Sequence, residues 1–154
     1  MDESLNTLEA CEHLSLSTNA IDRMLSLSKL KNLKILSLGR NQIKRIMGLD
    51  EVGQTLEQLW LSYNIIEKLD GLQPCIKLHT FYISNNKIKV WDEIGKLSSL
   101  PEIKNVMFIG NPVYGDKNGK EVLPYVVKRI PNIANVDGEL ITPEIQKQAF
   151  SLEG

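Results

Sequence analysis

His13, His79, Cys11 and Cys75 are the side chains best suited to acid–base or nucleophilic chemistry near neutral pH, and their placement supports neither. No Ser, His and Asp stand in an arrangement that would activate a nucleophile. No Cys/His/Asp/Glu spacing matches a metal site, and no glycine-rich loop is set to cradle phosphate. The cysteines make neither a CxxC pair nor a disulfide framework. Cys11 occupies an apolar position of the pattern, where a buried and inert thiol is expected. The carboxylates fall in polar stretches between apolar ones, as a solvated face requires. These residues define no catalytic, cofactor or metal site, and the chain reads as a non-enzyme. What does recur at fixed spacing is asparagine: Asn19, Asn41, Asn64, Asn86 and Asn111 follow one another at intervals of 22 to 25 residues. A carboxamide offers two donors and an acceptor, enough to satisfy buried turn backbone that no ladder reaches.

The elements that position these asparagines form a repeat. The template apolar-x-x-apolar-x-apolar-x-x-Asn occurs at Cys11/Leu14/Leu16/Asn19, Leu33/Leu36/Leu38/Asn41, Leu56/Leu59/Leu61/Asn64, Leu78/Phe81/Ile83/Asn86 and Ile103/Val106/Phe108/Asn111. Ile21, Ile43, Ile66, Ile88 and Val113 each stand two residues after an asparagine. The alternation before each asparagine predicts a short half-buried strand, and the looser spacing after it a turn-rich return. One strand with one return cannot bury its own apolar face, so copies must stack. This is the leucine-rich repeat in its short class. The fold expected is an α/β solenoid, with a parallel β-sheet on the concave face, helical or turn returns on the convex face and a C-terminal helical cap. His13 and His79 then lie three repeat steps apart and cannot meet.

In such a stack the residues between the core leucines project from the concave face. Two of the five rows read Gln58, Trp60, Ser62, Tyr63, Ile65 and Thr80, Tyr82, Ser84, Asn85, Lys87. No row contains an acidic residue, and only Arg40 and Lys87 are charged. Aromatic and Met enrichment with charge depletion is the composition of an interface core. The candidate partner-binding residues are Ile35, Arg40, Trp60, Tyr63, Tyr82, Lys87, Met107 and Ile109. The five asparagines are assigned a structural role.

The ends depart from the template. Asp2 to Leu8 reads as the back half of a unit whose strand is missing, with Leu5 and Leu8 matching Leu27 and Leu30. After Asn86, Asp92 is expected to cap a short helix running to about Leu100, ended by Pro101, with Trp91 buried on the convex side. Asn118-Gly119 marks a turn before a helical stretch from about Lys120 to Ile130, with Pro124 in its first turn. We place the repeat domain, including a cap over about 120–138, at residues 1–138. Residues 139–154 form a tail in which Thr142 and Pro143 begin one more helix.

Composition bounds the function. The chain has 154 residues, 42% of them hydrophobic and 24% charged, which suits one folded domain. Its net charge of −1 argues against nucleic-acid binding through bulk positive charge. No apolar run is long enough to span a membrane, and the N-terminus lacks the basic start and apolar core of a signal peptide. A reducing, cytoplasmic location fits the cysteine usage.

Several segments closely resemble the light chain 1 family of axonemal outer-arm dynein: LSLSTNAI (14–21), LKILSLGRNQIKRI (33–46), TLEQLWLSYNIIEKL (55–69) and FYISNNKI (81–88). IGNPVY (109–114) and VVKRIPNIANVDG (126–138) extend the likeness. The pairing of Trp60-Leu61-Ser62-Tyr63-Asn64 with Leu38-Gly39-Arg40-Asn41 is specific, and the last segment resembles the C-terminal cap of short-class repeats. The resemblance implies a non-catalytic subunit, monomeric on its own, that binds a dynein heavy chain at its microtubule-binding stalk tip and modulates ciliary or flagellar beating. It implies a place in the axonemal cytoskeleton, no cofactor, and a cap end turned towards tubulin, with Lys128, Arg129 and Lys147 as microtubule-side candidates. Family members carry a further N-terminal helical segment before the stretch matching Met1, and the tail after Gly138 is less alike. Related short-repeat proteins also serve as spliceosomal scaffolds and phosphatase regulators, which stay open as alternatives.

Overall fold

In the computed structural model, residues 4–5, 8–117 and 119–152 are described. Asp2, Glu3, Asn6, Thr7 and Asn118, on which parts of two expectations rest, lie outside them. Leucine alternation at fixed intervals lets strands of adjacent repeats pair in register. The five strands β1 (His13–Ser15), β2 (Ile35–Ser37), β3 (Gln58–Trp60), β4 (Thr80–Tyr82) and β5 (Asn105–Met107) are accordingly parallel neighbours in chain order. Leu14, Leu36, Leu59, Phe81 and Val106 align across the sheet and point into the stack. The solenoid expected from the spacing is the solenoid observed.

Each strand is only three residues long because the chain must leave the sheet for its asparagine turn. The turns are where the coils are tied together. The Nδ2 group of Asn64 donates to the Leu61 carbonyl of its own coil and the Leu38 carbonyl of the preceding one, both at 3.0 Å. Its Oδ1 accepts from the Ile43 N–H at 2.9 Å. Asn41, Asn86 and Asn111 repeat this arrangement with Leu16, Leu61 and Ile83 as the preceding-coil carbonyls. Asn19 differs: it is exposed, and among the described residues its side chain bonds only the Leu16 and Ser17 carbonyls of its own turn.

The expected match between Leu5–Leu8 and Leu27–Leu30 is present in the backbone. The Leu8 N–H donates to Leu5 at 3.1 Å, as the Leu30 N–H does to Leu27 at 2.9 Å. The return after Asn86 is built differently from the expectation. Helix α1 (Trp91–Gly95) passes into a 3₁₀ segment, Lys96–Ser99, and its N-cap is Val90, without a side-chain cap. Asp92 therefore lies within the first turn, where a negative charge favours the helix dipole. Trp91 is half-buried, stacked between Tyr114 (6.1 Å) and Tyr125 (5.8 Å). Glu93 is buried on this side, where it accepts from the Leu69 N–H at 2.8 Å and pairs with Lys96 at 2.8 Å.

A 3₁₀ turn (Gly119–Val122) leads into α2 (Leu123–Arg129), with Pro124 in the first turn as expected. The chain then adds β6 (Asn135–Val136), parallel to β5, and β7 (Glu139–Leu140), antiparallel to β6. Asp137 and Gly138 link them with φ values of 52° and 83°, the conformation of a two-residue hairpin turn. Elsewhere in the sheet, the N–H after each strand donates to the carbonyl of the next strand's last residue, as Ile83 does to Met107. At the end of the sheet the Asp137 carboxylate takes that place, accepting from Phe108 (2.7 Å) and Ile109 (3.1 Å). Its second oxygen accepts from the Tyr114 hydroxyl at 2.6 Å. Helix α3 (Pro143–Phe150), capped by Thr142 Oγ1, packs against α2.

Three substitutions separate these roles. Asn64→Ala leaves buried groups of two coils unpaired and is expected to cost roughly 1–3 kcal/mol, whereas the exposed Asn19→Ala costs a few tenths. Asp137→Ala strands the Phe108 N–H and the Tyr114 hydroxyl and is expected to fall in the larger class. Urea denaturation of the three variants measures the difference.

Candidate concave interface

The strand residues that flank each core leucine point to the concave side. Register aligns two rows there: His13, Ile35, Gln58, Thr80, Asn105, Asn135 and Ser15, Ser37, Trp60, Tyr82, Met107. The first row is tied by polar bonds at its C-terminal end, where Asn135 Nδ2 donates to Asn105 Oδ1 at 2.7 Å. The second is apolar from β3 onward. Trp60 stacks on Tyr82 with centroids 5.9 Å apart and planes at 22°. On its other side the indole meets His13 edge-on at 6.1 Å, two strands away, and the intervening Ser37 is buried. Trp60 Nε1 donates to Gln58 at 3.2 Å, which holds the ring across the sheet.

The residue before each asparagine forms a third row. Thr18, Arg40, Tyr63 and Asn85 all have left-handed backbone, with φ of 55° to 61°, and Gly110 continues the column at 86°. A bulky residue such as Tyr63 in this region costs about 1–2 kcal/mol. The cost is offset locally, since the Arg40 and Tyr63 N–H groups donate to the next coil's Ser62 and Ser84 carbonyls at 2.9 and 3.0 Å. The side chains stand at the rim, where the Arg40 guanidinium lies 4.3 Å from the centre of the Tyr63 ring. A groove of about 280 Å³ runs between Thr18, Arg40, Trp60, Tyr63 and Tyr82, and no acidic side chain lines it.

The candidate residues named from the sequence therefore do not all stand together. Arg40, Trp60, Tyr63 and Tyr82 share the groove. Met107 continues the Trp60–Tyr82 row and is half-buried, while Ile35, the row partner of His13 on β2, is also half-buried. Ile109 is 49% exposed further along, and Lys87 is exposed at the rim. His13 and Gln58, which support the indole, were not among the candidates, because contact across strands leaves no trace in linear spacing. The left-handed column did leave one: Asn85 and Gly110 are residue types that favour that conformation.

At the cap end, Lys128 donates to the Leu152 carbonyl and so ties α2 to the segment after α3. The Arg129 side chain passes over Gly95 of α1. Lys147 is exposed on α3. The thiols are also separated by environment: Cys11, expected to be buried, is only half-buried because the first coil has little chain before it to cover that position, whereas Cys75 is fully buried. Burial, reinforced by the charge of Asp50, pushes the Cys75 thiol up to about 12. Burial, and then the neighbouring Asp137, likewise raises the Tyr114 hydroxyl. Among the described residues no group of three His, Cys, Asp or Glu is placed to hold a metal ion, and no helix is long and apolar enough to cross a membrane.

Parallel three-residue strands, asparagine-tied coils and a helical cap define a leucine-rich repeat protein. The fold is shared with a chain of the Drosophila melanogaster SNF/U2A′ complex, at a TM-score of 0.79 and 17% identity over 97% of this chain and 90% of that one. It is shared as well with internalin C2 of Listeria monocytogenes, at 0.67 and 26% identity over 87% of this chain and 53% of the other. No family model matches the sequence. Full-length similarity is more specific. The chain is 48% identical to dynein axonemal light chain 1 of Chlamydomonas reinhardtii, over all of this chain and 80% of that protein. It is 50% identical to the Danio rerio protein of that name (100% and 79% covered) and 49% identical to the Homo sapiens one (95% and 76%). The chain belongs to the axonemal dynein light chain 1 family.

The thiol environments make a pH-dependent prediction. Cys75 binds its proton more tightly folded than unfolded, so its contribution to stability is full below the ordinary value of 9.0 and is lost as pH rises from there to about 12. Tyr114 acts in the same sense at higher pH. In a colorimetric thiol assay, Cys11 should react readily in the native protein, and Cys75 only at the rate of unfolding, which alkali accelerates.

Proposed function

We propose that this chain is a non-catalytic light chain of axonemal outer-arm dynein. It binds the heavy chain's microtubule-binding stalk tip through the concave face and so regulates ciliary or flagellar motility. Membership of the light chain family supports the assembly and the axonemal location. The observation that carries the binding surface is the Trp60–Tyr82–Met107 row, an apolar strip across three adjacent strands on a face that holds no acid. Such a strip buries the apolar side of a helix, while Arg40 and Lys87 at the rim meet the helix's polar edge. The cap, with Lys128, Arg129 and Lys147, faces the microtubule in this arrangement. The chain contributes recognition, and the motor's ATP hydrolysis belongs to its partner. It joins the complex as a monomer and needs no cofactor.

Trp60 and Tyr82 are the expected hot spots, each worth roughly 2 kcal/mol or more. In a pull-down from ciliary extract, the wild-type chain should recover an outer-arm heavy chain and the Trp60→Ala/Tyr82→Ala variant should not. Equal recovery by both would place the heavy chain on another surface. Recovery of splicing or phosphatase subunits instead would move the chain to a different assembly.

A further inference from the structure

Where charges stack on neighbouring coils of this solenoid, their signs mostly alternate. Glu12 and Lys34, before β1 and β2, pair at 3.4 Å, and Glu57 and His79, before β3 and β4, approach to 3.6 Å. Three residues after successive asparagines stand Asp22, Lys44, Glu67 and Lys89, and the last two pair at 3.0 Å. Alternation of this kind avoids repulsion between coils and adds a small favourable term at each exposed pair.

The adjacent column breaks the rule. Arg23, Arg45 and Lys68 stand four residues after Asn19, Asn41 and Asn64, on three consecutive coils. The backbone just before them is locked together, since Gln42 donates to Ile21 at 2.8 Å and Ile65 to Ile43 at 3.0 Å. Just after them the coils touch again: a Cβ on Gly48 would lie 2.6 Å from the Leu25 carbonyl oxygen, and one on Gly71 2.2 Å from that of Ile46. The three cations are therefore held at about the 5 Å spacing of neighbouring strands. All three are exposed, and neither they nor Lys44 forms an ion pair with any described residue.

The two acids beside Arg45 and Lys68 are each paired with another cation. Glu67 is paired with Lys89, and Asp70 with Lys96 at 3.0 Å. A surface groove of about 560 Å³ runs here between Lys44, Arg45, Met47 and Lys68. The sequence shows the same asymmetry: from Arg23 to Arg45 there are seven cationic residues and no acid, in a chain whose net charge is −1.

We propose that this flank, distinct from the concave face, is a docking site for an extended acidic polypeptide segment. Like charges stacked without counter-charges cost folding energy, and a partner's carboxylates laid across the coils would relieve that repulsion. An extended chain places side chains of one face about 6.6 Å apart, within reach of flexible Arg and Lys heads spaced as these are. A nucleic acid fits less well, because no aromatic ring lines the groove for base stacking.

The test is fluorescence anisotropy with a labelled poly-glutamate peptide at physiological ionic strength. Wild type should bind saturably, and Arg45→Glu/Lys68→Glu should weaken binding by about tenfold or more. The charge-matched control Lys77→Glu/Lys120→Glu, with both sites exposed elsewhere on the surface, should change it by less than about threefold. Thermal melts confirm folding, and Arg45→Ala/Lys68→Ala replaces the reversal if that variant melts early. Trp60→Ala/Tyr82→Ala should leave peptide affinity unchanged, so that failure of the concave reading and of this one are distinguishable. Absence of saturable binding, equal weakening by the control pair, or tighter binding of an oligouridylate of matched charge would each overturn the proposal.

Discussion

Each buried asparagine of the solenoid is bonded to two coils at once. Its Nδ2 protons close its own turn and reach the carbonyl of the coil before, while its Oδ1 receives an N–H from that same preceding coil. A carboxamide can do this because it is donor and acceptor in one rigid plane. Three-residue strands alone would make a weak ladder, and a slip of one residue would turn every leucine outward. With the amides engaged, register is set twice over, by the strand and by the turn. The concave rows inherit that alignment, which is why an indole on β3 meets a phenol ring on β4 at stacking distance.

The same dependence explains the ends. A coil without a following neighbour leaves N–H groups open. At the C-terminal side, where β6 is only two residues long, the Asp137 carboxylate stands in for the carbonyl of a third and brings Tyr114, and through it the Trp91–Tyr125 stack, into the cap. At the N-terminal side, the Asn19 side chain bonds only its own turn among the described residues, and the first coil's Leu14 and Ile21 keep 8% and 9% exposure where their counterparts Leu36 and Ile43 have none.

The surface is divided by the coil geometry into faces with different physics. Strand positions carry an apolar strip to the concave side. The columns beside the strands and turns carry alternating charges that hold neighbouring coils together. Within this scheme the Arg23–Arg45–Lys68 column is the exception, as Tyr63 is the one aromatic side chain in the left-handed rim column. Both lie outside what stacking alone requires, and recognition is the use to which a stacked repeat can put such departures.

The repeat period, the core leucines, the asparagine positions and the cap motif were determined by the sequence itself, because each follows from short-range spacing that every copy restates. Thr142 as an N-cap and Pro124 in a first turn are equally local facts. What only the tertiary structure decided depends on groups far apart in the chain. Asp92 reads as a helix cap, yet the backbone enters the helix two residues earlier, at Val90, where Trp91 is drawn into a stack with Tyr114 and Tyr125. The support of Trp60 by His13 and Gln58, the use of Asp137 as a surrogate carbonyl and the unpaired cationic column all arise between coils. Linear spacing encodes which face a residue occupies, but contact energies between coils decide which of those residues meet.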